Sequence, residues 1–170
     1  MISRIIGILL FKVNTYEEIE ADKTATMQSF LIVILSSIAT ALAFKPDAGY
    51  SLLNFIYTII IGIFLWALWA LITMFVGTKL LPTEETNSNW GELARTTGYA
   101  QAPKLLSVFA LIPLLTTTVI FIVGIWNLIT MIIAIRQSLD YNSTLRAVFV
   151  VLIGFLPYAI IGAIVISFLQ

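Results

Sequence analysis

The chain has 170 residues, of which 60% are hydrophobic and 11% charged, with a mean hydropathy of +1.03 and a formal net charge of zero. A soluble domain carries about 25% charged residues, so a bilayer is the solvent that accommodates this much apolar surface. The zero charge removes a basic field for nucleic acid, and the absence of cysteine and histidine removes disulfides, thiolate nucleophiles, Cys/His metal sites and imidazole acid–base chemistry.

Residues 1–24 read as an interfacial and cytoplasmic arm. Met1–Lys12 is apolar but too short to cross about 30 Å of hydrocarbon, and it lacks the small-residue cleavage pattern of a leader. Lying in the interface is the expectation. Thr15-Tyr16-Glu17-Glu18 reads as a capping box that opens a short helix, with Glu17, Glu18 and Glu20 near its positive end. The arm is expected to pack under the bundle as an anchor, and the sharper alternative is a docking surface. The acidic cluster carries no metal-site expectation.

A first span is expected over Met27–Phe44, stopped by Lys45-Pro46-Asp47-Ala48-Gly49. The second, Tyr50–Thr78, has no charge and exceeds a minimal span, so tilt or an interfacial end is expected. Asn89-Trp90-Gly91-Glu92 reads as a capping box opening a third span, which Pro103 should kink or reset. The apolar run Leu105–Ile135 divides at Pro113 and Thr116-Thr117-Thr118, giving a fourth span over about Thr116–Ile135 and a fifth over about Thr144–Phe168. The fold class is therefore an all-α, polytopic transmembrane bundle of five spans. It forms one membrane domain over 1–170, with the arm at 1–24 and the bundle at 25–168. The rival count is four, with Gly98–Leu115 re-entrant or interfacial.

With five spans, Arg4, Lys12, Lys23, Lys79, Arg95, Lys104, Arg136 and Arg146 share one side, against Lys45 alone on the other. The positive-inside rule then makes the N-terminus cytoplasmic. Lys104 is the member of this set whose depth the sequence leaves open.

Polar residues at bilayer depth are costly and few. Asn127 and Gln101 are the candidates, and a hydrogen bond between them would either join adjacent helices or face a lipid headgroup or quinone-like ligand. Tyr99 and Pro103 flank Gln101. Arg136 and Asp140 are four apart, an ion pair if the fourth helix continues that far and otherwise a turn. Small residues at Ser36, Ala39, Thr40, Ala43, Thr73, Gly77, Gly154, Ala159, Gly162 and Ala163 offer close helix packing. Only Trp90 fits an aromatic belt cleanly. No span holds an acidic residue, which argues against a proton-coupled carrier. No spacing supports a serine–lysine dyad with Lys104.

The assembled segments resemble the Yip family, the Ypt/Rab-interacting-protein-like membrane domain, in a prokaryotic form. The likeness rests on Arg4-Ile5-Ile6-Gly7, Thr15-Tyr16-Glu17-Glu18-Ile19-Glu20, Trp90-Gly91-Glu92-Leu93, Gly98-Tyr99-Ala100-Gln101-Ala102-Pro103, Arg136-Gln137-Ser138-Leu139-Asp140-Tyr141 and Arg146-Ala147. The resemblance implies five spans, a cytoplasmic N-terminus and an outward C-terminus. Eukaryotic relatives bind small Rab-type GTPases, but their acidic Asp-Leu-Tyr-Gly-Pro signature is absent from this sequence. The resemblance transfers no catalytic residue and no cofactor. The expected function is a non-catalytic membrane scaffold in the prokaryotic cytoplasmic membrane, associating with lipids and other membrane proteins. The alternatives are an accessory subunit of a respiratory or photosynthetic complex holding lipid, quinone or a pigment such as carotenoid, and a small-solute permease.

Overall fold

The computed structural model describes residues 1–43 and 51–167. The expected turn at Lys45–Gly49 with its lone opposing charge Lys45, the span ends Phe44 and Tyr50, and Phe168 at the end of the fifth span lie outside them. Among the described residues the chain is all-α, with seven α-helices: α1 (Ile2–Leu9), α2 (Val13–Ala21), α3 (Ala25–Ala43), α4 (Leu52–Phe75), α5 (Trp90–Tyr99), α6 (Thr116–Ser138) and α7 (Thr144–Ser167). Four segments are long and apolar enough to cross a membrane: α3, α4 with its continuation to Leu80, α6 and α7. Their outward faces are apolar, with Phe121, Leu152, Leu156 and Ile160 all exposed, as a lipid-facing surface requires.

The arm is a helical hairpin. Phe11 takes a left-handed conformation (φ 57°) and reverses the chain, with the Lys12 amide donating to the Gly7 carbonyl at 2.9 Å. Arg4 closes the hairpin on Glu18 and Asp22, both at 2.8 Å. This reversal corrects the expected capping box. Lys12 becomes the N-cap, without a side-chain bond, so Thr15 falls inside α2 and Glu17, Glu18 and Glu20 lie beyond its first turn. The Thr15 side chain instead packs where a Cβ on Gly7 would stand, which is why glycine suits that position. The hairpin tip lies on α6: Trp126 donates from Nε1 to the Leu9 carbonyl at 3.2 Å and its ring meets Phe11.

At the foot of α4 the helix widens into a π-turn over Val76–Leu80. The phenol of Tyr141, from the α6–α7 loop, lies 3.0 Å from the Gly77 carbonyl and 2.7 Å from that of Leu81. A loop side chain thus meets main-chain oxygens that a widened turn leaves open. Nothing in the long apolar run marks this widening.

The third apolar segment is the one that departs from a simple span. α5 begins on the expected capping box, with Glu92 N donating to Asn89 Oδ1 at 3.2 Å and Asn89 N to Glu92 Oε2 at 3.0 Å. It ends at Tyr99, and a 3-10 helix follows over Ala102–Leu111. Pro103, at the start of that helix, has no N–H to offer the preceding turn, and its ring excludes the α conformation of a continuous helix. The broken segment sits at the centre of the bundle, packed on α3 on one side and α6 on the other. Contact with α3 is close at Gly98, where an added Cβ would stand 2.7 Å from the Ser29 Cβ. The Ser29 hydroxyl spans the same contact, 2.8 Å from the Arg95 carbonyl.

Candidate functional site: a polar cleft inside the bundle

In an α-helix the Ala100 carbonyl would accept from the Lys104 amide. Here the Lys104 amide donates to Gln101 instead, at 2.9 Å, and the Ala100 oxygen is released into the bundle. Two side chains one turn apart on α6 receive it. Asn127 Nδ2 donates at 2.7 Å and the Thr130 hydroxyl lies at 2.9 Å. The expected Asn127–Gln101 bond is therefore corrected to Asn127–Ala100. Asn127 and Gln101 do meet at one cleft, but the freed main-chain oxygen outcompetes the neighbouring carboxamide for the Asn127 donor.

Two adjoining lobes open beside this break. The first, about 200 Å³, lies between α3, α4 and the 3-10 helix and is lined by Val33, Ser36, Ser37, Thr40, Gly62, Trp66, Gln101, Lys104 and Tyr158 among others. The second, about 290 Å³, lies between α4, α6 and α7 and is lined by Trp69, Gly124, Asn127, Leu128, Met131 and Phe155 together with Trp66, Gln101, Lys104 and Tyr158. Gly124 faces open space, with nothing within 4 Å of where its Cβ would be. Gln101 is 92% buried, since 8% of its surface is exposed, and its Oε1 has no partner. The indole nitrogens of Trp66 and Trp69 are likewise buried without a partner.

Lys104 is the residue whose role the sequence left open. It belongs with Ser36 and Ser37 of α3 and Trp66 of α4, inside the bundle, rather than with the loop-end cations Arg136 and Arg146. The Ser36 hydroxyl donates to the Val33 carbonyl at 3.0 Å. No hydrogen bond joins Lys104 to Ser36 or Ser37 among the described residues.

The remaining candidate residues are structural in their surroundings. Tyr99 is fully buried, and its phenol donates to Gln28 Oε1. Pro103 is buried at the break. Arg136 and Asp140 form no ion pair, because α6 ends at Ser138 and Asp140 turns left-handed (φ 52°). Arg136 closes the loop through the Tyr141 carbonyl at 3.2 Å and the Thr144 hydroxyl at 3.1 Å. Trp90, expected in an aromatic belt, donates to the Ala67 carbonyl at 3.2 Å and stacks near Trp66.

At the loop end of the bundle, Glu17, Glu20, Glu85, Glu92, Asp140 and Arg136 line a second, solvent-side hollow of about 620 Å³. Burial, then the carboxylates of Asp140 and Glu92, push the Glu20 carboxyl up to about 7, while Arg95 opposes the shift. Burial also raises the Asp140 carboxyl. Arg95 ties this end to the arm by donating to the Glu20 carbonyl, with Nε at 3.1 Å.

Among known proteins, residues 6–165 match the model of the Yip1 domain. No curated protein and no solved structure matches the chain.

Proposed function

Because the chain belongs to the Yip1 domain family, a family of membrane proteins, we propose that it is a non-catalytic scaffold, one membrane domain over 1–170 that associates with lipids and other membrane proteins. The observation that carries this reading is the capture of the Ala100 carbonyl by Asn127 and Thr130. Polar groups at the heart of the bundle hold a broken segment in place. Hydroxyls on the long helices are satisfied within their own helix: Thr73 lies 2.8 Å from the Trp69 carbonyl, and Thr40 2.8 Å from that of Ser36. None of these groups is arranged around a reacting centre.

In this reading the chain crosses the membrane five times, with α5 and the 3-10 helix as the third crossing. Ten α residues and ten 3-10 residues reach about 35 Å, which exceeds the hydrocarbon thickness. With Lys104 set apart in the cleft, the seven other cations of the one-sided set support a cytoplasmic arm, and the membrane of this reading is the prokaryotic cytoplasmic membrane. On α7 the small pair Ala159 and Ala163 faces outward, available to a partner helix.

Purification from native membranes in mild detergent, with mass spectrometry and an absorption spectrum, tests the scaffold. Protein partners at fixed ratio without colour are expected. Recovery of the chain with no partner protein would reject it. A coloured preparation would favour the second reading, an accessory subunit of a larger complex, for which the open cleft beside Gln101 is the supporting observation.

A further inference from the structure

We propose that the cleft around Lys104 binds the phosphodiester headgroup of an anionic membrane lipid. This deepens the scaffold reading by naming the lipid the bundle holds, and it rests on that reading's placement of the cleft at bilayer depth. The smaller lobe is lined by Lys104, Gln101, Ser37 and Tyr158. None of the four side chains makes a hydrogen bond or ion pair to another described residue. All four can donate, and among the described residues no carboxylate lines either lobe. A cation at bilayer depth is retained where it meets a compensating anion, and a phosphodiester supplies both the charge and the acceptors that four donors need. A quinone or carotenoid, being neutral, would leave the ammonium uncompensated.

The second lobe gives the rest of the ligand a path. It continues from Lys104 past Gly124 to Leu128 and Phe155, which are exposed on the outer faces of α6 and α7. An acyl chain can leave along that apolar wall into the surrounding lipid. Free phosphate has no use for it.

The test uses the purified full chain in detergent, with phosphatidylglycerol, phosphatidylcholine or inorganic phosphate added, read by thermal unfolding and native mass spectrometry. Phosphatidylglycerol is expected to raise the unfolding temperature and remain bound, with phosphatidylcholine weaker and inorganic phosphate without effect. Lys104→Met should lower the bound fraction about tenfold or more, the loss expected when one charge-assisted contact goes, and Lys104→Arg should retain it. Gly124→Leu keeps the ammonium but fills the exit, and should also lose the lipid, so the proposal stays testable if Lys104→Met fails to fold. Equal phosphatidylglycerol binding by wild type and Lys104→Met, or an equal response to inorganic phosphate, would overturn the assignment. Since the chain is tested alone, loss of lipid binding leaves the partner experiment untouched, and absence of partners leaves this one untouched.

Discussion

The carboxamide of Asn127 and the main-chain oxygen of Ala100 stand 2.7 Å apart, and Thr130 reaches the same oxygen from one turn further along α6. An interhelical bond of this kind contributes about 0.6–1.7 kcal/mol in a membrane protein. Asn127→Leu and Thr130→Val should each cost about that much singly, because the other donor remains. The double variant should cost more than the sum, since the carbonyl then loses both donors. Unfolding free energies of the four proteins check this. Strict additivity would mean that the two donors do not share one acceptor in solution.

Gly98 is a close approach of α5 to α3. Gly98→Ala places a methyl group against the Ser29 Cβ, and both atoms are fixed to helix backbones. A loss of about 1–3 kcal/mol is expected, the usual cost of overpacking. Ser29→Gly in the same chain should recover part of it. Failure of that rescue would place the strain elsewhere, for instance at Trp66.

Tyr141→Phe removes a donor that serves the widened turn at the foot of α4. A loss of about 1–2 kcal/mol is expected. Amide exchange should quicken over residues 76–81 and stay unchanged in α3. Uniform quickening would instead indicate a global effect.

Two carboxyls at the arm respond to pH in opposite senses. The Thr24 hydroxyl and then Arg4 hold the Asp22 carboxyl at about 2, below its ordinary 3.8. Its contribution is present above about 4 and disappears as pH falls toward 2. Glu20 is raised from 4.5 to about 7, so its contribution is present below about 4.5 and is lost as pH rises to about 7. Limited proteolysis of the arm should therefore be slowest in mildly acidic solution. Glu20→Gln should flatten the rise toward neutral pH, and Asp22→Asn the rise toward pH 2. A profile insensitive to both substitutions would show that the arm stays docked whatever its charge.

Much of this architecture is legible in the residues. Asn89 and Glu92 announce the start of α5, Pro113 with the three threonines fixes the start of α6, and uninterrupted apolar runs mark the four long segments, because caps, prolines and hydropathy are local signals. Pro103 was readable as a break, but not what the break would release. The partner of Asn127 depended on which carbonyl the 3-10 turn would free, a matter of main-chain pairing decided between segments far apart in sequence. The hairpin turn at Phe11 was hidden for a related reason, since left-handed backbone at a phenylalanine has no compositional mark. The depth of Lys104 stays open in the sequence because charge counting assumes that cations sit at span ends. A signal existed in its position one residue after Pro103, within the apolar run rather than outside it.

The captured carbonyl also constrains the order in which the protein can be made. The donors for Ala100 lie 27 and 30 residues downstream, so the segment that carries Gln101, Pro103 and Lys104 leaves the ribosome before they do. On emergence it is short of hydrogen bonds and burdened with a cation, a poor candidate for release into lipid on its own. It must therefore stay sheltered, by the insertion machinery or against α3, until α6 emerges. α6 then closes over a segment already waiting at the centre, and α7 packs on α4 and α6 after it.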